Sequence, residues 1–326
     1  QSAFQDALPE IGVDDIEAPE IALDMALAAL ERSKRGGFRT GREDETTARR
    51  DIAWLQRRGY SFEVIKKAMG LDVDGVCVDL EDAVAPLLKD EARAKTLPMF
   101  KNYRSDSRPF PTVRINSLRS SVGLKDMLAI VEMDNPPPGV LLPKIETADE
   151  IRWADELLGE AKHHVELYAL IETNAGLNNA VEIAAATPRL TCLVFGAVDM
   201  SAALGCANTW EALYYARARA AHAVAAAGID IVDVPHLDLE DEEGLRHDAE
   251  AGQALGFAGK FAIHPKQVSA INAAYTPNPE TIAKAHNIIE AFANEPSGLL
   301  VMDGKLIEKP VIRSMQRIVA IADAIS

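Results

Sequence analysis

The sequence predicts a (β/α)8 TIM barrel with an N-terminal helical extension and a C-terminal helix–hairpin–helix arm. Short apolar runs, rich in β-branched residues, alternate with longer amphipathic stretches from residue 74 onward. This alternation is typical of a parallel sheet whose two faces are both covered by helices. No GxGxxG follows the first run, which disfavours the alternative of a doubly wound open sheet.

Seven runs are predicted strands: DGVCVDLED (74–82), PTVRIN (111–116), GVLLPKIE (139–146), ELYALIET (166–173), LTCLVFGAVD (190–199), IDIVDVP (229–235) and KFAIHP (260–265). Helical stretches such as TADEIRWADELLGEA lie between them. We expect an eighth strand at DIAWLQ (51–56), because eight β/α units close a barrel. The surrounding RRDIAWLQRR also fits a helix.

The two ends of the chain depart from this alternation. Residues 1–50 are predicted to be an N-terminal extension with one helix, IALDMALAALERSK, and a polar linker that contains glycine. Residues 51–274 are the predicted barrel and catalytic domain. Residues 275–326 are a predicted lid or oligomerisation segment, in which a hairpin around Asp303-Gly304 separates two helices.

Composition excludes several classes of partner. The 326 residues are 48% apolar and carry a formal net charge of −16, which repels nucleic acid and anionic membranes. No apolar run approaches the roughly 20 residues of a membrane span, and the polar N-terminus has no signal-peptide core. Cys77, Cys192 and Cys206 form no CxxC or Cys/His cluster. We therefore expect free thiols in a reducing cytoplasm, without zinc or disulfides.

Polar side chains follow the carboxyl ends of the predicted strands, where a parallel barrel places its active site. They are Glu81 and Asp82, Arg114 and Asn116, Lys144 and Glu146, Glu172, Asp199, Asp233 and His264. Any one such acid also fits a helix N-cap or a solvated loop. Several carboxylates at one rim repel each other unless a counter-charge is present.

A divalent cation would supply that counter-charge. Glu172 and Asp199 end consecutive predicted strands, so their side chains can converge on one ion. Oxygen ligands at such a site suit Mg²⁺ or Mn²⁺, and Mg²⁺ in proteins usually takes one or two carboxylates.

Three basic side chains at the same rim each have two interpretations. The guanidinium of Arg114 could hold a substrate carboxylate or offset the charge of an enolate. Alternatively, Arg114 forms a structural ion pair with Glu81 or Asp82. Lys144 could form a Schiff base with a substrate carbonyl, or it could form an ion pair with Glu146 or Asp82. His264 fits a general base, or a side chain that orders the loop before Pro265.

The motifs in this order resemble the HpcH/HpaI aldolase and citrate lyase β-subunit superfamily. The motifs are DGVCVDLEDAVAPLLKDEAR, VRINSL, GVLLPKIETADEI, ALIETNAGLNNAVEIAAATPRL, VFGAVDMSAALG and GFAGKFAIHPKQV. The resemblance covers roughly residues 52–326 and is nearest to the malyl-CoA, β-methylmalyl-CoA and citramalyl-CoA lyases. The 2-oxo-acid aldolase branch shares the metal-binding acids but usually lacks the DLEDAV and VRIN motifs.

The resemblance implies Mg²⁺ on Glu172 and Asp199 and a substrate contact from Arg114. It implies that residues around Val198-Asp199 and Ile263-His264 line the substrate pocket. Members of the family are usually trimers or hexamers, in which the C-terminal segment brings an acid to a neighbour's active site. Glu308 in GKLIEKPVI occupies that position, where the family commonly has aspartate.

The CoA-binding end departs from the family pattern. Arg58-Gly59 stands where the family has a Pro-Gly turn, and Ser61 where it has a phosphate-binding arginine. Lys67 matches a lysine that contacts CoA in relatives. Either Arg57 and Arg58 replace the absent charge, or the protein binds the CoA tail weakly or takes a different acyl carrier.

The resemblance implies a reversible Claisen-type lyase that cleaves a malyl-CoA-type 3-hydroxyacyl-CoA into acetyl- or propionyl-CoA and glyoxylate or pyruvate. Glu308 would exchange the proton on the acetyl carbon, while Glu81 and Asp82 would orient Arg114 and water at the metal. The alternatives are a malyl-CoA thioesterase, a metal-dependent 2-oxo-acid aldolase, and a citrate lyase β-like subunit that needs an acyl-carrier partner.

Overall fold

The computed structural model describes residues 73–103, 109–295 and 299–325. Its centre is a seven-stranded parallel sheet in which each strand pairs with the next strand along the chain. The strands are β1 (Gly75–Asp79), β2 (Phe110–Arg114), β3 (Gly139–Leu142), β4 (Glu166–Ile171), β5 (Leu190–Phe195), β6 (Asp230–Asp233) and β7 (Gly259–Lys260).

Helices follow the strands in the predicted alternation. They are α1 (Lys89–Thr96), α2 (Ser121–Val131), α3 (Ala148–Leu158), α4 (Asn174–Asn178), α5 (Ala180–Ala184), α6 (Ala197–Leu204), α7 (Trp210–Ala227), α8 (Glu242–Leu255) and α9 (Pro265–Tyr275). Side-chain caps start many of them, as where Ser120 accepts the N–H of Gly123 and where Thr147 and Glu150 form a capping box before α3.

The two faces of the sheet bury different sets of apolar side chains. Val113, Leu193 and Ile231 belong to the large cluster between the sheet and the helices. Leu141 and Val194, which alternate with them along the strands, pack in a smaller cluster on the other face. Residues from all seven strands line one cavity on that face, so the sheet curls around it as a barrel wall does.

The predicted (β/α) barrel architecture is therefore confirmed for β1 to β7. Strands β1 and β7 are the edges of the described sheet, and the predicted eighth strand would lie between them. That strand, at 51–56, and the N-terminal extension, 1–50, lie outside the described residues.

The register of β4 with β5 determines which residues meet at their carboxyl ends. Ile171 pairs with Phe195 at the end of the ladder, so residues 172 and 196 leave the sheet side by side. The same ladder has an irregularity between Leu167 and Tyr168, near its other end.

The C-terminal arm has the predicted helix–hairpin–helix form. Helix α10 (Pro279–Ala293) precedes the antiparallel hairpin of β8 (Leu300–Met302) and β9 (Lys305–Ile307), and α11 (Lys309–Ile325) follows it. Asp303 and Gly304 both have positive φ, as a two-residue turn of this kind needs. Ile288, Ile307 and Ile312 form a separate apolar core. The role of 275–326 as a lid or oligomerisation segment stays a prediction.

All three cysteines are free thiols, as expected. Cys77 and Cys192 are buried, whereas Cys206 is partly exposed. In the described ranges, every helix is too short or too polar to cross a membrane.

Candidate active site

The candidate site lies at the carboxyl ends of β1 to β5. Arg114 is the last residue of β2, Glu172 directly follows β4, and Asp199 lies in the first turn of α6, just after β5. Lys144 lies two residues beyond the end of β3. This placement agrees with the rule that parallel barrels position their functional side chains at this end of the sheet.

Glu172 and Asp199 lie side by side, in hydrogen-bonding contact through their carboxyl groups. Glu172 is almost fully buried, and its Oε1 accepts the backbone N–H of Lys144 at 2.9 Å. The close approach depends on Gly196, since a Cβ there would lie 2.4 Å from the Cβ of Glu172 and 2.8 Å from its Oε2.

This environment disfavours the charged form of Glu172. Burial, then the negative charge of Glu81 and the contact with Asp199, raises the pKa of Glu172 to about 9. At neutral pH the pair therefore holds a proton unless a cation takes its place.

The pair fits a hard divalent cation better than a zinc cage. Within residues 73–103, 109–295 and 299–325, no group of three or more His, Cys, Asp or Glu side chains is arranged around a metal position. Two adjacent carboxylates are what Mg²⁺ commonly takes from a protein, the other positions going to water and substrate. Close by, the Oε2 atom of Glu81 is buried without a hydrogen-bond partner, although it lies 3.0 Å from Nη1 of Arg114.

Arg114 is held mainly by Asp79, a partner that the strand pattern alone did not indicate. The Nε and Nη2 atoms of Arg114 donate to the two carboxylate oxygens of Asp79, at 2.8 and 2.7 Å. Burial pushes the pKa of Asp79 upward, but the Arg114 charge and the N–H groups of Glu81 and Ala83 hold it below its ordinary value. Asp79 therefore stays ionised and fixes the guanidinium in a two-point ion pair.

Asp82 lies beside Lys144 and forms no ion pair with Arg114, and its predicted orienting role stays a prediction. Glu81 contacts Arg114 as predicted, but Asp82 is about half exposed and has its carboxylate 3.6 Å from Nζ of Lys144. Residues 80–84 form a turn after β1, in which the carbonyl of Glu81 accepts the N–H of Val84, and Asp82 lies within that turn.

Of the two roles predicted for Lys144, the structure favours the ion-paired lysine over the Schiff-base lysine. Its main partner is Glu81, which was not one of the predicted partners. Its Nζ donates to Oε1 of Glu81 at 2.6 Å. Burial lowers its pKa, yet the contact with Glu81 outweighs this and leaves the pKa above the ordinary lysine value. Such a cation is a poor Schiff-base nucleophile. Glu146, the other predicted partner, pairs with Arg119 instead.

His264 is fully buried at the start of α9, where its Nδ1 accepts the N–H of Lys266 at 3.0 Å. Burial lowers the pKa of His264 to about 4, so the ring is neutral and orders the loop. Ile263, the residue before it, donates its N–H to Oε1 of Gln267. Val198 is half exposed and lines a cleft of about 390 Å³ with Trp210 and His236.

Two other residues at strand ends serve the fold. Asn116 donates its side-chain N–H groups to Leu80 O and Asp126 Oδ2. Asp233 is completely buried between Arg217 Nε, at 3.2 Å, and Lys260 Nζ, at 2.8 Å. The acids at strand ends therefore do not all face one shared rim.

Of the remaining predicted residues, the structure describes Glu308 alone. Glu308 is exposed between β9 and α11, where its carbonyl accepts the N–H of Ile312, and it takes no part in the contacts described above. Arg58 and Lys67 lie outside the described residues.

Comparison with known proteins relates the chain to one family. A model of the family HpcH/HpaI aldolase/citrate lyase matches residues 54–265. The mitochondrial citramalyl-CoA lyase of Homo sapiens is 30% identical over 328 residues, which cover 92% of this chain and 95% of the human protein. The (3S)-malyl-CoA thioesterase of Cereibacter sphaeroides is 34% identical over 273 residues, 82% of this chain and 93% of that protein.

A solved structure is similar over most of the chain. It is CitE from Mycobacterium tuberculosis in complex with magnesium, acetoacetate and coenzyme A. Sequence identity is 29% and the TM-score is 0.66, over 80% of this chain and 94% of the other. With the family match spanning more than half of its length, the chain belongs to the HpcH/HpaI aldolase/citrate lyase family.

Proposed function

We propose that this protein is a Mg²⁺-dependent carbon–carbon lyase that reversibly cleaves a malyl-CoA-type 3-hydroxyacyl-CoA. The products are acetyl- or propionyl-CoA and a small 2-oxo acid, glyoxylate or pyruvate. The observation that carries the proposal is the carboxylate pair of Glu172 and Asp199, with the charge of Arg114 beside it.

Glu172 and Asp199 would hold the cation, which supplies Lewis-acid polarisation of the oxygens of the substrate acid when it is bound. The magnesium and acetoacetate in the similar CitE structure support this assignment. The proton that Glu172 carries at neutral pH would leave the pair as the ion enters.

Arg114 would offset the negative charge that develops on the thioester when the carbon–carbon bond breaks. Its guanidinium is fixed by Asp79 and Glu81, so little reorganisation is needed when that charge appears. The Arg114 side chain remains 21% exposed, so a substrate could reach it.

Glu308 of the partner subunit would exchange the proton on the acetyl carbon. Its exposed position on the C-terminal arm, outside the cluster of its own chain, supports delivery to a neighbouring subunit of a homotrimer or homohexamer. Glutamate at this position is one methylene longer than the family's usual aspartate, so the arm must seat slightly farther from the substrate.

The test is cleavage of malyl-, methylmalyl- and citramalyl-CoA with Mg²⁺ or with EDTA, followed by mass spectrometry of the products. We expect release of a 2-oxo acid in the presence of Mg²⁺ and no release in the presence of EDTA. Glu172→Gln should lower kcat/KM by about 100-fold or more, because a ligand of the cation is lost. Glu182→Gln, on an exposed position of α5, is the matched control and should leave activity unchanged. Full activity of Glu172→Gln would refute the site.

A second candidate is hydrolysis of malyl-CoA at the same site. The thioesterase of Cereibacter sphaeroides favours it, since its identity to this chain is 34%, against 30% for the human lyase. The same assay separates the two: free malate indicates the thioesterase, and glyoxylate with acetyl-CoA indicates the lyase. Activity with pyruvate as donor and no CoA would indicate the 2-oxo-acid aldolase. Inactivity on every free CoA ester, with a co-purifying small acidic protein, would indicate the acyl-carrier-dependent subunit.

A further inference from the structure

Lys144 has an unusual backbone conformation for its residue type. Its φ is 55°, in the left-handed region that a side chain with a Cβ rarely adopts. Asp303 is the other non-glycine residue with positive φ in the described ranges, and its hairpin turn requires it. No such turn surrounds Lys144, which connects β3 to α3. Strain of this kind persists only where the surroundings impose it, and it is common at functional sites.

The left-handed turn lets Lys144 contact two different parts of the site. Its N–H donates to Oε1 of Glu172, at 2.9 Å, on the cation side. Its Nζ donates to Oε1 of Glu81, at 2.6 Å, and the other oxygen of Glu81 lies 3.0 Å from Arg114. One residue thus connects the carboxylate pair to the guanidinium through its main chain and its side chain.

We propose that Lys144 is a positioning residue for the lyase reaction, which aligns Glu172 through its backbone N–H and aligns Arg114 through Glu81. The proposal rests on the proposed function for its catalytic consequence. Removal of the ammonium group would leave the Glu81 carboxylate with one ion-pair partner, Arg114, since Lys89 contacts the Glu81 carbonyl instead, and would free the carboxylate to rotate. The guanidinium would then lose part of its fixed orientation, whereas the cation ligands would keep theirs.

The experiment compares Lys144→Met, Lys144→Arg and the unchanged protein. We expect Lys144→Met to lower kcat/KM by about 10- to 100-fold, mainly through kcat, as loss of a supporting contact commonly does. Mn²⁺ affinity, measured by calorimetry, should be unchanged or tighter, because the N–H of residue 144 remains and a positive charge has left the site. Lys144→Arg should recover part of the loss in kcat.

Crystal structures of the same variants provide a readout that requires no activity. In Lys144→Met we expect Oε2 of Glu81 to move away from Nη1 of Arg114, with Glu172 in place. If the unchanged protein cleaves none of the CoA esters, the proposed function fails, while the Mn²⁺ titration and the crystal structure still test the positioning role.

Lys95→Met is the matched control, since Lys95 forms an ion pair of similar length, 2.7 Å, with Glu91 on the exposed side of α1. It should leave all readouts unchanged. The proposal is overturned if Lys144→Met keeps normal kinetics with Glu81 in its original place. It is equally overturned if Mn²⁺ affinity falls in parallel with kcat/KM, because that would indicate a general disturbance of the site.

Discussion

Asp79 and Arg114 pair directly across β1 and β2, and their side chains form a two-point ion pair at the end of both strands. The backbone register and the side-chain contact therefore involve the same two residues. Asp79 is almost fully buried, and it also accepts two backbone N–H groups from the turn that contains Glu81. The ion pair thus fixes both the guanidinium and the loop that carries the second acid.

We predict that Asp79→Asn weakens both activity and stability. Loss of the counter-charge leaves Arg114 buried without full compensation, which commonly costs about 3 kcal/mol of unfolding free energy. The guanidinium also loses its fixed orientation, so kcat should fall by about 10- to 100-fold in the protein that remains folded. Urea unfolding and steady-state kinetics measure the two effects.

The control for that change is Asp149→Asn, which removes an exposed ion pair with Arg152. Exposed ion pairs contribute little to the free energy of unfolding, so we expect stability and kinetics both to stay the same. A fall in stability for Asp79→Asn with unaltered kinetics would contradict the orienting role of Asp79.

Mg²⁺ affinity should depend on pH. Burial and the charge of Glu81 raise the pKa of Glu172 to about 9, so the cation must displace a proton at lower pH. Release of one proton predicts that affinity rises by about tenfold per pH unit between about pH 6 and about pH 8. Calorimetry in buffers of different ionisation enthalpy measures both the affinity and the proton release. An affinity that does not vary across this range would contradict the shared proton.

Gly196→Ala should weaken cation binding without unfolding the protein. A Cβ at this position would lie within 2.8 Å of Glu172, so the carboxylate must move away from Asp199. We expect Mn²⁺ affinity to fall by about 10- to 100-fold. Gly259→Ala is the control in the same sheet, since its Cβ would meet its nearest neighbour at 3.9 Å. Equal effects of both substitutions on Mn²⁺ binding would contradict the close-approach argument.

Asp233→Asn should destabilise the protein but leave the cation site intact. Arg217 and Lys260 would lose the buried carboxylate between them, a change that commonly costs about 3–5 kcal/mol. Mn²⁺ affinity of the folded protein should remain unchanged, because Asp233 belongs to a separate ion-pair network. Asp230→Asn, at the exposed start of β6, is the control. Loss of Mn²⁺ binding in folded Asp233→Asn would place Asp233 within the cation site.

The fold and the carboxylate pair could be predicted because both depend on the strand pattern. Apolar runs locate β1 to β7, and a parallel barrel brings the residues after them to one end. Glu172 and Asp199 follow neighbouring strands, so no longer-range information was needed to place them together.

The partner of Arg114 could not be predicted from the strand pattern. Three acids occur in DLED, of which Asp79 ends β1, while Glu81 and Asp82 lie in the turn that follows. The pairing of Asp79 with Arg114 depends on the register of β1 and β2, which sequence alone does not provide. The left-handed backbone of Lys144 could not be predicted, because lysine has no preference for that region and the contacts with Glu172 and Glu81 that accompany it depend on the tertiary structure.

Between the register shift at Leu167/Tyr168 and Glu172, the four residues 168–171 of β4 pair in regular register with β5. Strand side chains alternate with a period of two, so deletion of one of these four would rotate Glu172 to the helix side of the wall. We therefore expect this stretch to be more sensitive to a change in length than to replacement of one apolar residue by another of similar volume. Chimaeras and loop grafts built on this scaffold should place their junctions before Leu167 and keep the spacing to Glu172 constant.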